Sequence, residues 1–168
     1  MSHELSLHSP FPPFSLSAAV PQPDGSIDQN TLTLESFAGK PLVLFIYPKD
    51  NTSGCIIEVC GFRDMYGQFK EAGIAVVGIS RDTVRSHINF IKKQELPYPL
   101  LADPEQSTLK EWQLIVNKTM YGKPVTKVLR TTFLIDKTGN LRHIWENVTP
   151  LGHAEAVLEH ARSMGGID

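Results

Sequence analysis

Residues Leu42–Tyr47 form an unbroken apolar run rich in branched and aromatic side chains, the pattern of a strand buried on both faces. Beyond it, Cys55, Val59, Phe62, Tyr66 and Phe69 recur at spacings of four, three, four and three. That is one stripe of a helix, and Gly73 supplies its stop. Ile74–Ile79 repeats the buried-strand pattern, and Val84, Ile88 and Ile91 mark a second helix with Asp82 as its expected cap. Tyr98–Leu101 reads as a short third strand, followed by Asp103-Pro104, a cap and first-turn pair opening a brief helix towards Trp112. Strand and helix alternate, which implies parallel pairing.

The two ends of the chain have a different pattern. Residues 1–13 contain Pro10, Pro12 and Pro13 and are expected to run irregularly over the surface, leaving 14–168 as one domain. From Phe14 to Leu34, short apolar stretches broken by Pro21, Pro23, Asp24-Gly25 and Asn30 suit a small hairpin on one edge. Thr131–Asp136 and Leu141–Trp145 flank a polar Lys-Thr-Gly-Asn turn and read as a second hairpin. A last helix is expected from about Gly152 to Arg162, with Ala154, Val157, Leu158 and Ala161 facing the sheet. The sum is a three-layer α/β/α domain with a mixed central sheet and an N-terminal β-hairpin.

Charge removes some function classes. The 168 residues carry a formal net charge of -2, which gives no electrostatic reason to expect nucleic acid. The apolar runs fall far short of the ~20 residues a membrane-spanning helix needs, and no secretory signal is apparent, so a cytoplasmic protein without a membrane partner is expected. Two cysteines, Cys55 and Cys60, are too few for a disulfide scaffold or, with no histidine beside them, a zinc site. None of the six histidines shows metal-ligand spacing, and His87 is expected on a solvated helix face. Trp112 and Trp145 read as packing residues.

The informative stretch runs from Tyr47 to Cys60: a strand end, a polar turn, then a cysteine in the first turn of a helix. Unpaired N–H groups at a helix start favour the thiolate, the reactive form of cysteine. The helix dipole contributes only ~0.3–1 kcal/mol, less than a tenfold change in ionisation, so a cation is wanted nearby. Arg130, at the start of the late strand, is the candidate because adjacent strand ends can converge. The plainer readings stay open here: Cys55 and Cys60 as packed core thiols, Arg130 as a solvated charge, Thr52 as a helix cap.

Pro48, Thr52 and Cys55 match Pro-x-x-x-Thr-x-x-Cys, the signature of peroxiredoxins, and the Tyr-Pro-Lys-Asp-Asn-Thr lead with Cys60 five positions on resembles the bacterioferritin comigratory protein or peroxiredoxin Q class. The resemblance continues through Gly61-Phe62-Arg63-Asp64, Gly78-Ile79-Ser80-Arg81-Asp82, Ser86-His87, Leu100–Asp103, Arg130–Asp136 and Gly152-His153-Ala154. It implies a thioredoxin-like fold and reduction of hydrogen peroxide or organic hydroperoxides in antioxidant defence, with no cofactor and no metal. Cys55 would be the peroxidatic cysteine, Thr52 and Arg130 would orient the peroxide, and Pro48 would shield the pocket. Cys60 would resolve the sulfenic acid as an intramolecular disulfide, which thioredoxin or a similar dithiol protein reduces. An intrachain partner removes any chemical need for a dimer, so a monomer is expected and a dimer stays open.

That disulfide has a geometric consequence. Five helical residues separate two Cα atoms by about 8.6 Å, beyond the roughly 7 Å that a disulfide spans, so at least one turn must unwind. The sequence also departs from the family pattern: Ser53 replaces a proline and Ile56-Ile57 replace two threonines. A looser helix start and a more apolar rim are expected to favour bulkier organic peroxides. Two rivals stand beside this reading: a thiol–disulfide oxidoreductase, which would need Cys-x-x-Cys, and a redox sensor or chaperone, which would react once and stop.

Overall fold

The computed structural model describes residues 5–163. Its elements follow in the order β1 (Ser15–Pro21), β2 (Ile27–Thr33), β3 (Leu42–Ile46), α1 (Ser53–Glu71), β4 (Ala75–Ser80), α2 (Val84–Gln94), β5 (Leu100–Ala102), α3 (Ser107–Glu111), β6 (Ile115–Met120), β7 (Lys123–Val128), β8 (Thr131–Ile135), β9 (Leu141–Trp145) and α4 (His153–Ser163). Seven strands form one sheet in the order β2-β1-β5-β4-β3-β8-β9. Strands β3, β4 and β5 are parallel neighbours, and β1, β2, β8 and β9 join antiparallel, giving the mixed sheet expected.

The two parallel crossovers step in the same direction, from β3 to β4 and from β4 to β5. Right-handed connections therefore place α1 and α2 on one face of the sheet. The apolar stripe of α4 joins them through Ala154, Val157, Leu158 and Ala161. Side chains alternate along β3: Val43 and Phe45 point towards these helices with Tyr47 just beyond, while Leu42, Leu44 and Ile46 point to the opposite face. The opposite layer is thin. It includes Leu109 from α3, Trp112, Leu114, Val128 from β7, and Phe11 and Phe14 from the N-terminal segment.

Phe11 corrects the expectation of an irregular surface run over residues 1–13, of which residues 1–4 lie outside the described residues. It is buried, with its ring edge-on to Trp112 at 5.2 Å and to Phe133 at 5.1 Å. The backbone around it is tied down by His8 N to Leu141 O at 2.6 Å and Phe11 N to Gly139 O at 2.8 Å. Aromatic burial outweighs the proline-rich composition that suggested a loose strand of chain.

Element ends moved by a few residues. Thr83, not Asp82, caps α2, accepting from Ser86 N at 3.2 Å, because Asp82 turns inward to other donors. The brief helix starts at Ser107, and Asp103 holds its first turn from outside through Leu109 N at 2.8 Å. Strand β5 starts two residues later than read, at Leu100, and ends one later, at Ala102. The β6–β7 ribbon was not foreseen, because its lysines and threonines are exposed on both strands and leave no apolar alternation to read.

Gly78 sets how closely β4 packs against α1. A Cβ at this position would lie 2.8 Å from both Leu100 Cδ2 and Phe45 Cζ. The Phe45 ring in turn stacks on Phe62 of α1, with centroids 4.5 Å apart. Gly78→Ala is expected to cost about 1–3 kcal/mol through overpacking, read as a lower urea midpoint with an unchanged m-value.

Candidate active site

Strand β3 ends at Ile46, and the turn that follows is held by a buried polar network. Asp50 accepts from the Tyr47 hydroxyl at 2.6 Å, from the Ser86 hydroxyl at 2.7 Å and sits 2.8 Å from His87 Nδ1. Its own N–H donates to Asp82 at 2.9 Å, and Ser80 donates to the same Asp82 oxygen at 2.6 Å. His87 Nε2 faces the Leu101 carbonyl at 2.8 Å. His87 is fully buried, which corrects the solvated-face expectation. Its place three and four residues before Phe90 and Ile91 on the inner stripe of α2 was the signal that could have found it. Asn51, with φ 63°, then turns the chain into α1.

Cys55 lies in the first turn of α1, as read, but the residue is buried at 1% exposure rather than open to solvent. Register explains what meets it. β8 pairs antiparallel with β3, with Thr131 opposite Ile46, so Arg130 arrives beside the strand end where the turn begins. Its Nη2 donates to Cys55 Sγ at 3.4 Å and its Nη1 to Glu58 Oε1 at 2.6 Å. A Cβ on Gly54 would lie 3.3 Å from that Nη2, so the glycine leaves the guanidinium its room.

Glu58 was missed by the sequence reading. It sits three residues after Cys55, on the same helix face, and a carboxylate inside an otherwise apolar stripe was the available signal. Burial pushes its carboxyl up to about 7, opposed by the charge of Arg130. Its Oε2 is buried without a hydrogen-bond partner among the described residues. Burial works against the charge on Arg130, but Glu58 and then Cys55 outweigh it and hold its proton more tightly than usual. His153 stands nearby, its Nε2 2.8 Å from the Thr132 hydroxyl. Burial, then Arg130, push it down to about 4, so at neutral pH it adds no second positive charge.

The other predicted residues are spread around this centre. Thr52 occupies the N-cap position of α1 without capping it, and its hydroxyl donates to Lys49 O at 2.8 Å. Pro48 is half-buried in the same turn. Both cysteines are free, and both lie within α1. Cys60 Sγ donates to Gln94 Oε1 at 3.3 Å, and burial pushes its thiol up. The same turn of α1 is tied by Arg63 Nη1 to Gln94 O at 2.8 Å and by the Tyr98 hydroxyl to Val59 O at 2.6 Å. Among the described residues, no group of three or more His, Cys, Asp or Glu is placed to hold a metal ion, and no helix is long and apolar enough to cross a membrane.

The geometry thus sets a sulfur beside a guanidinium at a strand-to-helix junction, and the chain as a whole resembles known proteins in sequence and fold. Residues 7–144 match the model of the AhpC/TSA family. Peroxiredoxin Bcp of Xanthomonas campestris is 41% identical over 126 residues, covering 75% of this chain and 79% of that protein. The solved Xanthomonas campestris bacterioferritin comigratory protein, studied for alkyl peroxide reduction through trapped intermediate and ligand complexes, superposes with a TM-score of 0.78 at 36% identity, over 90% of this chain and 91% of that one. A cysteine-to-serine mutant of Xylella fastidiosa PrxQ gives 0.79 at 33% identity, over 98% and 95%. The chain therefore belongs to the AhpC/TSA family, has the family's thioredoxin-like fold, and is a peroxiredoxin of the Bcp/Q type, a thiol-dependent peroxidase.

Proposed function

We propose that Cys55 is the residue that reduces the peroxide, and that the Arg130 contact to its sulfur is the observation that carries the assignment. A guanidinium donating at 3.4 Å stabilises negative charge on sulfur and stays in place to meet the charge that develops on oxygen. The thiolate attacks the terminal oxygen: an S–O bond forms, the O–O bond breaks, and water or an alcohol leaves after taking a proton. Cys55 becomes a sulfenic acid. Thr52 has committed its hydrogen to Lys49 O, so its oxygen offers lone pairs to the O–H of the incoming peroxide. Pro48 shields the turn from water. The exposed Ile57 supports a rim that tolerates organic hydroperoxides, while Ile56 packs inward.

Cys60 resolves the sulfenic acid. Its thiolate attacks Cys55 sulfur, water leaves, and a dithiol protein of the thioredoxin type supplies two electrons to reopen the disulfide. Both cysteines sit in continuous helix, so the step requires α1 to unwind between them. Unwinding also lifts the burial that makes the Cys60 thiol harder to ionise than usual. The ties from Gln94 and Tyr98 are what it must break. The resolving cysteine lies within the chain, which supports a monomeric catalytic unit.

In a coupled assay with thioredoxin, thioredoxin reductase and NADPH, Cys55→Ser is expected to abolish peroxide consumption. Cys60→Ser keeps sulfenic acid formation but loses thioredoxin-supported cycling. Equal turnover in the three proteins would refute both assignments, and a single turnover by the wild type would favour a sensor. Arg130→Ala is expected to lower kcat/KM by about 100- to 1000-fold, and Glu58→Gln by about tenfold through a misplaced guanidinium; stopped-flow oxidation rates decide, and a Glu58→Gln enzyme as fast as wild type removes the positioning role. Tyr98→Phe is expected to speed Cys55–Cys60 disulfide formation, with lower helicity in the oxidised form. Superimposable circular dichroism spectra of the two redox forms would contradict the unwinding step.

A further inference from the structure

The β6–β7 ribbon stands apart from the main sheet, and the mechanism proposed above uses none of its residues. Its base is anchored. Val128 is buried, Leu129 N bonds Leu114 O at 2.8 Å, and Arg81 Nη1 donates to Thr126 Oγ1 at 2.8 Å. The antiparallel register sets Val116 opposite Lys127, Lys118 opposite Val125, and Met120 opposite Lys123. Alternation brings these six side chains to one face, and all six are exposed. Residues 113–129 hold these three lysines and no acidic residue, on a chain whose net charge is -2.

The tip of the ribbon is unusual for a surface turn. Tyr121 and Gly122 make a two-residue connection with φ 53° and 77°. Turns of this kind favour Asn or Gly at both positions, and a bulky residue in the left-handed region is disfavoured. Tyr121 is 96% exposed, so packing within the chain does nothing to offset that strain. Lysines on an open ribbon discourage edge-to-edge pairing, which accounts for the three cations. It does not account for a tyrosine at the apex with Met120, 44% exposed, beside it.

We propose that this face is a docking surface for an anionic lipid bilayer. The lysines meet the headgroups while their stems lie over Val116 and Val125, and Tyr121 and Met120 seat at the boundary between headgroup and acyl chain. A convex, cationic tip with an aromatic apex fits a flat anionic boundary, and such adhesion needs no spanning helix. Strand β7 runs into Arg130 within two residues, so the docked ribbon is directly continuous with the cysteine site. The consequence, capture of hydroperoxides formed in lipid, rests on the proposed peroxidase reading; the docking does not.

Sedimentation with phosphatidylglycerol–phosphatidylcholine vesicles tests the docking. The wild type is expected to pellet with them, to release as salt rises, and to stay in solution with phosphatidylcholine alone. The triple variant Lys118→Gln, Lys123→Gln, Lys127→Gln is expected to lose about 100-fold in partitioning, at the strength each lysine contributes near a charged surface. Tyr121→Asn suits the positive φ, so it is expected to keep or raise Tm while binding several-fold more weakly. Both variants keep wild-type turnover of hydrogen peroxide. A wild type that stays in the supernatant, binds both vesicle types equally, or binds polyglutamate but no vesicles overturns the proposal, as do variants that bind like wild type. Vesicle binding by a protein with no peroxide turnover would strike the peroxidase reading alone.

Discussion

The guanidinium of Arg130 reaches a sulfur and a carboxylate with its two terminal nitrogens, and the site depends on that fork. Both recipients lie on one helix, three residues apart, so a single planar cation reads the first turn of α1. The geometry is expensive in solvation terms. Glu58 is buried, and its second oxygen has no partner among the described residues, so part of the carboxylate's hydration is lost without replacement. A residue held at such cost is better explained by the orientation it gives its partner than by stability. A lysine in place of Arg130 would keep the charge and lose the two-pronged reach.

The fold delivers that fork by register rather than by proximity in sequence. Cys55 and Arg130 are far apart in the chain, yet the antiparallel pairing of β8 with β3 brings Arg130 to the mouth of the turn. The two right-handed crossovers then pack α1 and α2 on one face, so the start of α1 is braced from the side by Ser86 and His87 through Asp50. Phe45, Phe62 and Gly78 set the depth at which the helix lies on the sheet. Each layer thus fixes one coordinate of the sulfur.

Much of this was legible in the residues. Unbroken apolar runs announced β3 and β4, a helical stripe announced α1, and the hairpins at β1–β2 and β8–β9 followed from their turns. The position of Cys55 at a helix start and the partnership with Arg130 were also readable. Burial of polar groups was not. His87 and Glu58 look like surface residues by type, and only contacts made across the fold show their true surroundings. The exposed sulfur expected at a polar turn is in fact covered, because a pattern along one chain segment cannot report what other segments place over it. The β6–β7 ribbon escaped for the opposite reason: with both faces of its outer part in solvent, it has no two-sided contrast to betray a strand.

The Asp50 cluster leaves the turn before Cys55 anchored on its upstream side, by Tyr47, Ser86, His87 and Asp82 together. Downstream, the turn of α1 carrying Cys60 is tied to Gln94 and to the Tyr98 hydroxyl, and Val59 and Phe62 on either side of Cys60 are packed into the core. Any unwinding of α1 between the two cysteines therefore has to draw apolar side chains out of the core as well as break polar ties, a barrier that stands in the molecule before any oxidant arrives.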